Sequence, residues 1–149
     1  MIRKAADRDL ERIMQIEEIC FSSRWTKEMF LYELHENEFG HFYVLEENQK
    51  IAGFIDFWIT FECCQLANIA VHPSFQRRGY SRSLMDFMIV SAEQEQCETI
   101  MLEVRPSNEA ARCLYDSYEF MKVNIRKGYY NDNGEDAIVM CKALGGNLV

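Results

Sequence analysis

Residues 66–82 read LANIAVHPSFQRRGYSR, and the fold turns on how they are parsed. Ile69, Ala70 and Val71 form an apolar strand-like run, and Pro73 stops ladder pairing two residues later. From Gly79 onward apolar residues recur at helical spacing, at Leu84, Met85, Met88, Ile89 and Ala92. Gln76, Arg77, Arg78 and Gly79 lie between. A strand–turn–helix of this kind can hold a phosphate, because the first N–H groups of a helix point outward and its dipole favours an anion there. A glycine lets the backbone approach such a ligand closely. By itself the pattern fits a solvated turn equally well.

Around this stretch the chain predicts one domain over residues 1–149. The chain has 149 residues and 48% hydrophobic content, enough for a real core. No run approaches the ~20 apolar residues a membrane span needs, and the N-terminus leads into no signal-peptide core, so a soluble, cytoplasmic protein is expected. The six cysteines show no C-x-x-C pair and are expected to be reduced thiols. His35, His41 and His72 have no metal-ligand spacing, and no metal is expected. A formal net charge of −8 argues against non-specific nucleic-acid binding and suits a cationic partner, although acidity also simply keeps a protein in solution.

Taken in order, Ile2–Ala5 is predicted as an edge strand, and Asp7 as the cap of a helix with Leu10, Ile13, Met14, Glu17 and Cys20 on one face. Thr26 caps a second helix that Gly40 ends. His41–Glu46 and Ile51–Phe61 are strands joined by a polar turn. Trp25 and Phe30 could line a groove, but packing is the commoner fate of such residues. Further on, Thr99–Val104 is a strand with Ile100, Leu102 and Val104 on one side and Met101 and Glu103 on the other. Ser107 or Asn108 caps the next helix. Strands at about Phe120–Tyr129 and Asp136–Lys142 flank the turn Asn131–Gly134, and the tail Gly145-Gly146-Asn147 is expected to fray. The result is an α/β (α+β) fold, with helices against a mixed sheet.

Three motifs then carry a resemblance. QRRGYS resembles the Q/R-x-x-G-x-G/A pyrophosphate loop of the GNAT N-acetyltransferases, with Ser81 where glycine or alanine is usual. LEVRPSNEAARCLY (102–115) is similar to the second acetyl-CoA segment of that superfamily, in particular of its RimI-like branch, the bacterial ribosomal-protein-alanine N-acetyltransferases. Arg126-Lys127-Gly128-Tyr129-Tyr130 with Glu135-Asp136-Ala137 is similar to that branch's R-x-x-Y-Y…E-D-A element beside the acceptor peptide. Two departures are Glu119, where a glycine usually precedes the phenylalanine, and Arg24 in place of a common proline.

The resemblance implies a mostly antiparallel sheet of about seven strands flanked by about four helices. It implies acetyl transfer from acetyl-CoA to a protein N-terminal amine, most specifically the N-terminal alanine of a small-subunit ribosomal protein. Glu103 would be the general base and Tyr115 the general acid. Cofactor contacts would fall on Ile69, Ala70, Val71, Arg77, Arg78, Gly79, Tyr80, Ser81, Arg82 and Asn108, and acceptor contacts on Tyr129 and Tyr130. The implied partners are acetyl-CoA and a basic N-terminal peptide, with no nucleic acid and no membrane. The residue types suit this chemistry. An α-ammonium, with a pKa of about 7.7–8.0, must lose a proton before it attacks a thioester, and a departing thiolate needs one back. Without the resemblance, Glu103 reads as a solvent-facing strand residue and Tyr115 as a core aromatic. Two alternatives remain: a GNAT enzyme acting on another amine (lysine, polyamine, antibiotic), or a non-catalytic acetyl-CoA-binding module.

Overall fold

The computed structural model describes residues 1–145; the part of the tail at Gly146 and Asn147 lies outside the described residues. Seven strands and four α-helices follow in the order β1 (Ile2–Lys4), α1 (Leu10–Cys20), α2 (Lys27–His35), β2 (Gly40–Glu47), β3 (Lys50–Thr60), β4 (Cys63–Val71), α3 (Tyr80–Gln94), β5 (Thr99–Val104), α4 (Glu109–Ser117), β6 (Met121–Arg126) and β7 (Ala137–Ala143). The strands form one sheet in the order β1-β2-β3-β4-β5-β7-β6. Pairing is antiparallel for β1–β2, β2–β3, β5–β7 and β6–β7, and parallel for β4–β5 over Cys63–Gln65 against Thr99–Met101. This is the mixed, mostly antiparallel sheet expected.

Contacts group the chain into two compact units. One holds Met1–Trp58 and Ala67–Met88. Its core joins Ile13 and Ile16 of α1, Phe30 of α2, Phe42 and Val44 of β2, and Ile51 and Phe54 of β3. Phe30 is fully buried, edge-on to Phe54 at 5.9 Å and 5.3 Å from Trp25, so both aromatics expected at either a groove or the core are packing residues. Burying one such side chain is worth about 1.5–3 kcal/mol. Thr26 caps α2 as the sequence predicts, its Oγ1 accepting the Met29 N–H at 3.2 Å. Asn48 and Gln49 turn the β2–β3 hairpin with φ of 52° and 66°, the left-handed pair that a two-residue turn requires.

Other expectations are corrected. Asp7 does not cap α1: residues Asp7–Asp9 form a 3-10 turn, and Asp9 reaches back to the Ala6 N–H at 2.8 Å and pairs with Arg3. Gly40 does not end α2, which stops at His35; Gly40 opens β2. β3 ends at Thr60, because Phe61 swings into the left-handed region (φ 53°) and is 93% exposed. β4 then starts at Cys63, well before the Ile69 that the apolar run suggests.

The second unit holds Ile59–Leu66 and the chain from Ile89 on. β5 buries Ile100, Leu102 and Val104 and turns Met101 and Glu103 to its other face, as the alternation predicts. Phe120 and Tyr115 pack at 5.9 Å beneath α4. β6 is shorter than expected. It ends at Arg126, and the ten-residue connection 127–136, with Gly128 at φ 57°, carries Tyr129 and Tyr130 out of the strand. Glu119 stands at φ 67°, a conformation that costs a side-chain-bearing residue roughly 1–2 kcal/mol, which explains the usual glycine there.

Candidate active site

In the first unit the predicted strand–turn–helix is present. β4 runs out at Val71, His72 Nδ1 accepts the Ser74 N–H at 3.0 Å, and a 3-10 turn over Pro73–Phe75 leads toward α3. Arg77 (φ 66°) and Gly79 (φ 78°) both take left-handed conformations in the turn before the helix starts. The first turn of α3 carries N–H groups that a helix cannot satisfy internally. Ser83 closes that turn, its N–H reaching Gly79 C=O at 3.0 Å and its Oγ the same oxygen at 3.1 Å. Arg77, Arg78 and Gly79 are exposed, while Tyr80 and Ser81 are half-buried. The Arg78 guanidinium lies 5.2 Å over the Phe75 ring and 3.7 Å from a Glu47 oxygen. These donors, dipole and cations suit a pyrophosphate.

Ile69, Ala70 and Val71 sit at the end of β4. A Cβ on Gly53 would lie 2.6 Å from the Ala70 carbonyl oxygen, so only glycine permits this approach of β3. Glu17 of α1 is buried, with Oε1 accepting from Asn68 Nδ2 at 2.9 Å and Oε2 from the Trp25 N–H at 2.8 Å. Burial pushes this carboxyl above the usual range, partly offset by those two donors. Its signal in the sequence was a glutamate on an otherwise apolar helix face.

In the second unit, Glu103 of β5 is brought together with two residues of the β6–β7 connection. Arg126 Nε lies 2.8 Å from Glu103 Oε2, and the Tyr129 hydroxyl donates to Oε1 at 3.3 Å. Tyr130 meets Tyr129 edge-on at 5.1 Å. Burial, then the Glu103 charge, moves the Tyr129 phenol upward, and burial pushes Tyr130 up to about 12. Tyr115 of α4 is buried, and that burial raises its phenol far above the ordinary value. Asn108 caps α4, its Oδ1 accepting the Ala111 N–H at 3.1 Å. Ser107, the other cap candidate, instead donates its N–H and hydroxyl to Glu135 at 2.8 and 3.0 Å.

Sequence reasoning assigned no role to Arg105 or Arg126, although both stand inside the quoted motifs. Arg105 donates to both Asp132 oxygens at 2.9 Å and covers the Tyr130 ring at 3.9 Å. The acidic half of the R-x-x-Y-Y…E-D-A element therefore folds the loop: Glu135 holds Ser107, and Asp136 accepts the Gly128 N–H at 2.8 Å. Among the described residues, no group of three or more His, Cys, Asp and Glu side chains is placed to hold a metal ion. Among the same residues, no helix is long and apolar enough to cross a membrane.

Comparison with known proteins adds to this geometry. The acetyltransferase (GNAT) family pattern matches residues 10–120. The ribosomal protein bS18-alanine N-acetyltransferase of Escherichia coli K12 is 36% identical over 134 residues, 89% of each chain. Its counterpart in Haemophilus ducreyi is 32% identical over 97% of this chain and its whole length. The crystal structure of the Escherichia coli ribosomal-protein-S18-alanine N-acetyltransferase superposes with a TM-score of 0.88 at 34% identity, covering 100% of this chain and 98% of that one.

Proposed function

The chain belongs to the acetyltransferase (GNAT) family and uses acetyl-CoA as acetyl donor, and from that premise we propose that it acetylates the N-terminal alanine of a small-subunit ribosomal protein. The observation that carries the reading is the Glu103 carboxylate on β5 with the Tyr129 hydroxyl 3.3 Å away, in a chain similar over nearly its full length to enzymes of that specificity.

Acetyl-CoA supplies a thioester carbonyl open to attack and a thiolate that leaves. The chain acts as one catalytic domain. Arg77, Arg78, Gly79, Tyr80, Ser81 and Arg82 hold the pyrophosphate through first-turn N–H groups and charge. Asn108 adds a cofactor contact with the amide end that its capping oxygen leaves over. Glu103 accepts the proton of the incoming α-ammonium, directly or through a water. N–H groups of the Ile69–Val71 segment stabilise the oxygen on which charge develops. Tyr115 returns a proton to the departing sulfur; burial keeps its phenol protonated across the working pH range. Tyr129 and Tyr130 contact the acceptor backbone. The −8 net charge steers a basic peptide toward the enzyme. All six cysteines are free, which suits a reducing cytoplasm.

The test is thiol release from acetyl-CoA with a peptide bearing a free N-terminal alanine, alongside lysine side chains and polyamines. Glu103→Gln should lower the rate by about 10²–10⁴, with the deficit shrinking as pH rises above the amine's own pKa. A pH-independent deficit would make Glu103 structural, and acetylation of lysines or polyamines alone would overturn the acceptor.

A further inference from the structure

The connection from residue 127 to 136 contains no strand or helix, yet one guanidinium organises it. Arg105 follows the last residue of β5, and its side chain is only 18% exposed. Nη2 donates to both carboxylate oxygens of Asp132 at 2.9 Å, and Nη1 lies 3.3 Å from Glu135 Oε1. The flat face of the same group covers Tyr130, with Cζ 3.9 Å from the ring centroid. Tyr130 meets Tyr129 at 5.1 Å and 90°, and the Tyr129 hydroxyl reaches Glu103 at 3.3 Å. The contacts therefore close a circuit that leaves β5 at Arg105 and returns to it at Glu103. Edge and face of the guanidinium are both in use. An ammonium offers neither a planar fork nor a stacking face, so lysine is no substitute.

We propose that Arg105 is a positioning residue for the acceptor: it holds Tyr129 and Tyr130 against Glu103 and thereby sets the KM for the peptide. This rests on the reading that the two tyrosines contact the acceptor. Acetyl-CoA, bound through other residues, is insensitive to it.

The test is steady-state kinetics of the full chain with an alanine-initiated peptide and acetyl-CoA. Arg105→Lys should raise the peptide KM about 10–100-fold, the range expected for losing charge-assisted hydrogen bonds, and leave the acetyl-CoA KM within about twofold. Tyr130→Ala should raise the peptide KM as well. Combined with Arg105→Lys it should add little, because both act through one chain of contacts. An unchanged peptide KM in Arg105→Lys, with a raised one in Tyr130→Ala, overturns the role of Arg105 and leaves the acceptor reading standing. Unchanged values in both variants overturn the acceptor reading, and the proposal with it. A parallel rise in acetyl-CoA KM also overturns it, by making Arg105 a general structural residue. Should Arg105→Lys not fold, Asp132→Asn at the loop surface gives the same readout: a smaller rise in peptide KM alone supports the proposal, and a flat one overturns it.

Discussion

Asp56 of β3 is fully buried, and among the described residues neither of its carboxylate oxygens has a hydrogen bond of ordinary geometry. Facing it is Glu33 of α2, already accepting from Trp58 Nε1 at 2.7 Å and from Asn37 Nδ2 at 3.0 Å. Cut off from water and close to the Glu33 carboxyl, Asp56 is held in its protonated form. Burial, then the Glu33 hydrogen bond and charge, pushes the Asp56 carboxyl up to about 10. The unfolded chain ionises near pH ~3.9. The folded-state value is thus the higher one, and the contribution is fully present below the unfolded pKa and lost as pH rises toward the folded one. One proton is released on unfolding across that window, so stability should fall by about 1.4 kcal/mol per pH unit from this residue alone. Between about pH 6 and pH 8 that amounts to about 3 kcal/mol, or roughly 6–12 °C in Tm for a chain of this size. Asp56→Asn places an amide donor where the acid proton lies and removes the titration. Urea unfolding across this range should show the parent losing stability steeply against a much flatter variant, with the variant the more stable at the alkaline end. Parallel pH profiles would refute the retained proton, as would an Asn variant less stable than the parent at about pH 8.

Tyr115→Phe should lower turnover while leaving acetyl-CoA affinity by calorimetry nearly intact, because in the proposed mechanism the hydroxyl acts on the leaving sulfur; weakened binding with normal turnover would make it a packing residue. Glu119→Gly should stabilise the fold by up to about 1 kcal/mol in urea unfolding, the relief of left-handed strain exceeding the entropy glycine adds to the unfolded chain. A net loss of stability would show that the Glu119 side chain contributes more than its backbone costs.

Local signals explain what could be read in advance. The alternation of Ile100, Leu102 and Val104 announced both β5 and the face of Glu103. Thr26 marked the start of α2, and the polar residues at 48 and 49 marked a hairpin turn. The onset of β4 was illegible because its inward residues are Cys64, Leu66, Asn68 and Ala70, and Asn68 breaks the apolar pattern. That asparagine is inside only because Glu17, fifty-one positions away, supplies its acceptor. The site divides the same way. The turn at Gln76–Gly79 is local and was readable as a possible anion turn. Arg105 finds its partners Asp132 and Glu135 27 and 30 residues later, and Arg126 reaches back to Glu103. No spacing rule links residues whose proximity depends on strand order.

The alternation of β5 also works as error correction. Three side chains of the strand are committed to the interior, and Glu103 and Arg105 project from the opposite parity. A slip of one residue would exchange the sets, driving a carboxylate and a guanidinium inward and turning three aliphatic groups to water. Burying two unpaired charged groups while exposing aliphatic ones makes that register strongly disfavoured. The placement of the carboxylate is therefore proofread by hydrophobic packing, and every chain that passes that check presents Glu103 on the same side.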